Sequence, residues 1–259
     1  MPKFDITQTN RAIDQLLETT TKPLHRYLLQ AYHRHRNLEM AGRYREIFVP
    51  EMTVEHPVYH FHLMGQDLNL DGAEAVMGVY QQWAMSGQSI FYAEDEEIAV
   101  SDHMVCSMGF AYQQVPGAVL AAAGLTADQR ATYLYRTYEE MTWPYDDRGR
   151  LVGEHVWEPE PTQAQLIKLE PEDVLTTAEA ACQLAPFIKP LLSFESAVLS
   201  LTLSAAFQMD SKISGSSPSA RSQPAEPGFV QNVRTGPRVV VPILLPHAAH
   251  KTRVLEVVM

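Results

Sequence analysis

The chain has 259 residues, of which 46% are hydrophobic and 20% charged, a composition that belongs to globular domains rather than low-complexity chains. Its formal charge of −11 argues against a nucleic-acid partner, because phosphate binding needs a surplus of Lys and Arg on one face. The most apolar run, 191–207, includes Glu195 and five Ser or Thr residues and is shorter than a membrane span needs, so a packing helix and no membrane partner are expected. The N-terminus, MPKFDITQTNRAIDQ, carries no apolar core after a basic start, and Cys106 and Cys182 match no metal or redox spacing. A cytoplasmic protein with reduced thiols is the expectation.

In chain order, Ile13, Leu16 and Leu17 mark a short helix. After Pro23, Leu24, Tyr27, Leu28, Ala31 and Tyr32 recur at helical spacing. A separate helix is predicted over Leu38 to Val49, stopped by Pro50. Thr53 to Asp71, TVEHPVYHFHLMGQDLNLD, reads as extended chain. Alternation then puts Val54, His56, Val58, His60 and His62 on one face. Asp71 with Glu74 resembles a capping pair for a helix whose stripe is Ala75, Val76, Val79, Tyr80 and Trp83, ended by Gly87.

From Ser89 the period changes to two. Strands are predicted over Ser89–Ala93, Glu96–Val100, Met104–Val115, Ala131–Trp143 and Leu151–Glu158, with an insertion, PGAVLAAAGLTADQR, before the fourth. Leu166 to Pro190 reads as a loop and a short helix capped by Thr176 or Thr177. Helices followed by a run of strands is the order of an α+β domain with helices on one face of a curved sheet. Residues 211–259 hold six Lys or Arg against two Glu and open on a Ser/Pro/Gly-rich stretch. A cone-like domain over 1–192, its core about 10–160, and a mostly disordered extension over 193–259 are therefore expected.

The segment FVPEMTVEHP, the helix from Gly72 to Gln82 and the closing hairpin RTYEEMTWPYDDRGRLVGEHVWE together resemble the nuclear transport factor 2-like superfamily, in its SnoaL-like, polyketide cyclase-like branch. The resemblance implies a curved mixed β-sheet wrapped around N-terminal helices, a single apolar pocket, and a homodimer formed through the outer sheet face. Members range from cyclases, dehydratases, isomerases and epoxide hydrolases to plain binding proteins. Their enzymes place an Asp in the cone, whereas the late strands here offer Glu139, Glu140, Glu154 and His155.

His60 and His62 lie about 6.5 Å apart on an extended strand and could converge on one point. As acid or base, an imidazole shuttles a proton near neutrality; with Glu139 or Glu154 as a third ligand the pair could instead hold a metal. A third possibility is a hydrogen-bonded wall or dimer contact with no chemistry. Glu139 shares a face with Tyr133, Tyr135, Met141 and Trp143 and is expected in the pocket. A one-residue slip exchanges Glu154 for His155, so both stay candidates, while Glu158 reads as a solvated edge charge.

The expected catalytic residues are thus His60, His62, Glu139 and Glu154, with His56, Tyr80, Tyr135, Met141, Trp143 and His155 lining a site for a small apolar, oxygenated molecule. No metal and no cofactor is assigned; there is no GxGxxG, phosphate loop or GxSxG elbow. The leading reading is cofactor-independent acid/base catalysis, the opposing one a non-catalytic ligand-binding or dimerising module.

Overall fold

The architecture was taken from a computed structural model, which describes residues 5–199. From residue 200 onward the predicted extension lies outside the described residues. Among the described residues no helix is long and apolar enough to cross a membrane.

Helix α1 (Arg11–Thr19) leads into α2 (Pro23–Met40), which is longer than the sequence predicts. There is no separate helix over 38–49. Gly42, with φ +66°, lets its own N–H reach the Glu39 carbonyl and that of Arg43 reach Leu38, a Schellman ending that terminates α2. Only a 3-10 turn, Tyr44–Glu46, follows before the sheet.

The segment predicted as one extended stretch is a hairpin. Strand β1 (Thr53–Leu63) turns at Met64-Gly65 into β2 (Gln66–Asp71), and Leu63 pairs with Gln66. Both turn residues have positive φ, as the two-residue turns that suit strand twist require. Asp71 does not cap the next helix. It binds His56 Nε2 at 2.6 Å, and Gly72 occupies the cap of α3 (Ala73–Ser86), which Gly87 closes in the left-handed region.

Strands β3 (Phe91–Val100), β4 (Met104–Pro116), β5 (Thr132–Pro144) and β6 (Leu151–Trp157) complete a sheet of order β2-β1-β6-β5-β4-β3. The β1–β6 pairing is parallel and the rest antiparallel, so the sheet is mixed. The insertion between β4 and β5 carries the six-residue helix α4 (Gly117–Ala122). Part of the predicted loop after β6 is strand β7 (Gln165–Lys168), added to the first half of β5. Helix α5 (Thr177–Leu184) starts at a full capping box of Thr176 and Glu179.

Helix α2 lies on the concave face of the sheet. Leu28, Leu29 and Tyr32 from it meet Tyr59, Val105 and Trp143 in the main core, and Tyr32 Oη shares a 3.0 Å hydrogen bond with Ser107 Oγ of β4. Phe194 and Ala197, beyond the expected domain limit at 192, also belong to this core, Phe194 edge-on to Tyr27.

One irregularity shapes the interior. Phe91 and Ala93 face inward on β3; alternation would send Asp95 inward next, but Asp95 takes φ +52° and pairing slips between Glu94 and Glu97. The bulge shifts the pattern by one residue and turns Glu96 into the interior. Gly109 on β4 makes room for it: a Cβ there would stand 2.8 Å from Glu96 Cα. Gly109→Ala should cost about 1–3 kcal/mol by thermal unfolding. An unchanged melting temperature would show that the bulge yields freely.

Candidate active site

The three-dimensional arrangement divides the predicted residues between the two faces of the sheet. Tyr59 pairs with Glu154 and Phe61 with Val156, and all four are buried on the concave side. The alternate pairs, His60 with His155 and His62 with Trp157, face outward. The predicted histidine-lined pocket is therefore corrected. The His60 and His155 rings lie 4.9 Å apart and His62 stacks on Trp157 at 4.1 Å, in a groove on the outer face. His56 is exposed beside Asp71. Glu139 and Glu154 lie across the sheet from His60 and His62, so they cannot complete a metal site with them. Among the described residues no three His, Cys, Asp or Glu are grouped to hold a metal ion.

The slip between Glu154 and His155 is resolved in favour of Glu154, which is 6% exposed and faces the interior. Glu139, Met141 and Trp143 line the same cavity, of about 70 Å³ measured to the centres of water-sized occupants, room for a few waters or one slim molecule. Its walls are Phe61, Trp83, Phe91, Phe110 and Trp143. The Trp143 indole N–H is buried with no acceptor among the described residues. Tyr80 lies just behind the cavity wall, fully buried, and donates from Oη to Glu154 Oε2 at 3.0 Å.

Tyr135 does not face the cavity. It donates to Glu158, which also accepts from Thr137 Oγ1 and from the Met64 N–H at the hairpin tip, each at 2.5 Å. Glu158, expected at a solvated edge, is wholly buried. Three donors satisfy its carboxyl oxygens inside the protein.

Helix α2 supplies the groups that the sequence reading missed. Glu39 lines the cavity and is 8% exposed, and Arg36 forms a two-pronged ion pair with Glu96 at 2.9 and 2.8 Å. His35 Nε2 stands 3.2 Å from Tyr80 Oη and 4.0 Å from Glu39 Oε2. A signal was present: Leu24, Leu28, Ala31 and Tyr32 define the buried stripe, and continuing it by three and four residues gives His35, Arg36 and Glu39.

Burial favours the protonated forms of Glu39, Glu139 and Glu154. Burial pushes Glu39 up to about 8; Arg36 partly offsets this and Glu139 adds to it. Burial followed by the charge of Glu158 brings Glu139 to about 8 as well. Glu154 is driven well above the ordinary carboxylate range, first by burial and then by Glu39. His35 is pushed down to about 3 by burial and by Arg36 and stays neutral. Since Tyr80 gives its proton to Glu154, a hydrogen bond between His35 and Tyr80 requires the tautomer protonated at Nε2. Glu154, Tyr80 and His35 thus form one linked chain, and Glu39 lies just beyond hydrogen-bond distance of its end.

No family model matches the chain, and no curated protein matches it. Solved structures similar to it include an NTF2-like protein from Anabaena variabilis, 9% identical over 54% of this chain and 92% of that one, with a TM-score of 0.39. A SnoaL-like polyketide cyclase from Jannaschia is 11% identical over 54% and 91%, with a TM-score of 0.40. SalBIII, an epoxide hydrolase/cyclase-like enzyme of pyran ring formation in the polyether salinomycin, is 12% identical over 59% and 97%, with a TM-score of 0.38. The chain is similar in fold to NTF2-like and SnoaL-like proteins, as its sequence motifs imply.

Proposed function

We propose that the protein is a small-molecule pocket enzyme that moves protons on an apolar, oxygenated substrate without a cofactor, using carboxyl groups rather than histidines. The observation that carries this reading is the gathering of Glu39, Glu139 and Glu154 in one aromatic-walled cavity whose lining cation, Arg36, is already paired with Glu96. A carboxylic acid that keeps its proton near neutral pH can donate to an oxygen as charge develops there, and a neighbour that ionises can accept a proton from carbon. Glu154 is oriented by the hydrogen bond it accepts from Tyr80 and can give its own proton to a ligand oxygen. Glu139, whose carboxyl makes no hydrogen bond among the described residues, is free to engage a ligand directly. Cyclisation, dehydration, isomerisation and epoxide opening all draw on this pair of roles.

The test is exchange of solvent deuterium into a panel of small cyclic ketones, followed by NMR. Wild-type protein should catalyse exchange at protons next to the carbonyl, and Glu139→Gln and Glu154→Gln should each slow it by about 10²-fold or more with the circular dichroism spectrum unchanged. Ketones that bind without exchange would assign the pocket to binding alone.

A further inference from the structure

We propose that the cavity takes a small organic cation, an amine carried on an apolar ring, with its ammonium group seated among Glu39, Glu139 and Glu154. This rests on reading the same cavity as the ligand site, and it names the substrate class. Four carboxyl groups line the cavity, Glu39, Glu96, Glu139 and Glu154, against the single guanidinium of Arg36. Arg36 spends both of its terminal nitrogens on Glu96, and His35, at the back, is held neutral. Among the described residues no second cation lines the cavity, so Glu39, Glu139 and Glu154 feel only the partial influence of Arg36, inside walls too apolar to hydrate three charges. In the free protein they answer by staying protonated.

A bound ammonium would answer differently. It makes the ionised carboxylate the favoured form, so that one acid gives up its proton as the amine enters. The walls suit the frame of the same ligand, because Phe61, Trp83, Phe91, Phe110 and Trp143 line the cavity with apolar aromatic surface.

Matched probes test the class of ligand: benzylamine and 2-phenylethylamine against benzyl alcohol and 2-phenylethanol, titrated into the full-length protein by calorimetry in buffers of different ionisation enthalpy. At pH 7 the amines should bind at least about tenfold more tightly than the alcohols and release protons to the buffer. The preference should grow from pH 6 toward pH 8 as Glu39 and Glu139 ionise more readily. In Glu39→Gln/Glu139→Gln/Glu154→Gln the preference should disappear, with alcohol binding retained as the sign of an intact pocket; Glu39→Gln alone, which leaves the Glu154 hydrogen bonds untouched, should lose part of it. Alcohols binding as well as amines, or amines that fail to bind wild-type protein, would overturn the proposal. If alcohols win while deuterium exchange persists, the acid–base reading stands and only the substrate class falls. Amine binding without exchange would do the reverse.

Discussion

Replacing Arg36 by Met is expected to destabilise the fold by about 3–5 kcal/mol in urea unfolding, because removing one partner of a buried ion pair leaves the other charge stranded. The two side chains are 2% and 3% exposed, and their contacts are bidentate. Burial disfavours the Arg36 charge, but Glu96 more than offsets that. The guanidinium also donates to the Thr9 carbonyl at 3.3 Å and lies over the Tyr32 and Phe91 rings, so the variant loses packing between α2 and β3 as well. Adding Glu96→Leu should recover most of the loss, since a buried pair exchanged for apolar groups is often neutral. A single-variant loss below about 1 kcal/mol, the scale of a solvated pair, would contradict the burial described here.

The second large effect concerns pH. In the unfolded chain a glutamate carboxyl titrates near 4.5, while in the fold Glu154 holds its proton far above that and Glu39 and Glu139 hold theirs to about 8. The unfolded state therefore sheds protons first as pH rises. Stability is fully present below about pH 4.5, falls as pH climbs, and levels off for Glu39 and Glu139 once pH passes about 8. Glutamine cannot ionise, yet its side-chain carbonyl can still accept the Tyr80 hydrogen bond. Glu154→Gln should thus match wild type in acid and exceed it by a margin that widens as pH rises to 8, read as a pH-dependent rise in melting temperature. A variant less stable than wild type at pH 8 would show Glu154 to be ionised and paired. The same group would then be unfit as an acid, so the measurement bears on function as well as stability.

Much of this organisation was legible in advance, and the misreadings have a common form. Helix α3 with its Gly87 stop, the capped α5 and the four long strands all follow from local rules of period, capping and turn chemistry. The histidine row did not face the pocket because alternation offers two faces and burial chooses between them. The other face of β1 carries Tyr59, Phe61 and Leu63, whose apolar area outweighs that of imidazoles. Reading chemistry into His60 and His62 set aside the stronger force. For Glu139 and Glu154 the apolar neighbours Met141, Trp143 and Val156 set the correct face, although the sequence left Glu154 and His155 balanced.

By itself, then, the sequence determined the α+β class, most of the helices and strands in their order, and the inward face of Glu139, since these depend on patterns a few residues long. Only the tertiary structure decided that α2 runs unbroken to Met40 and brings His35, Arg36 and Glu39 beneath the sheet. It alone decided that a bulge at Asp95 reverses the alternation of β3 and delivers Glu96 to Arg36. The contacts that result, His35 with Tyr80 and Arg36 with Glu96, join residues 45 and 60 positions apart. They depend on desolvating a charge only where its partner waits, and no local period encodes that condition.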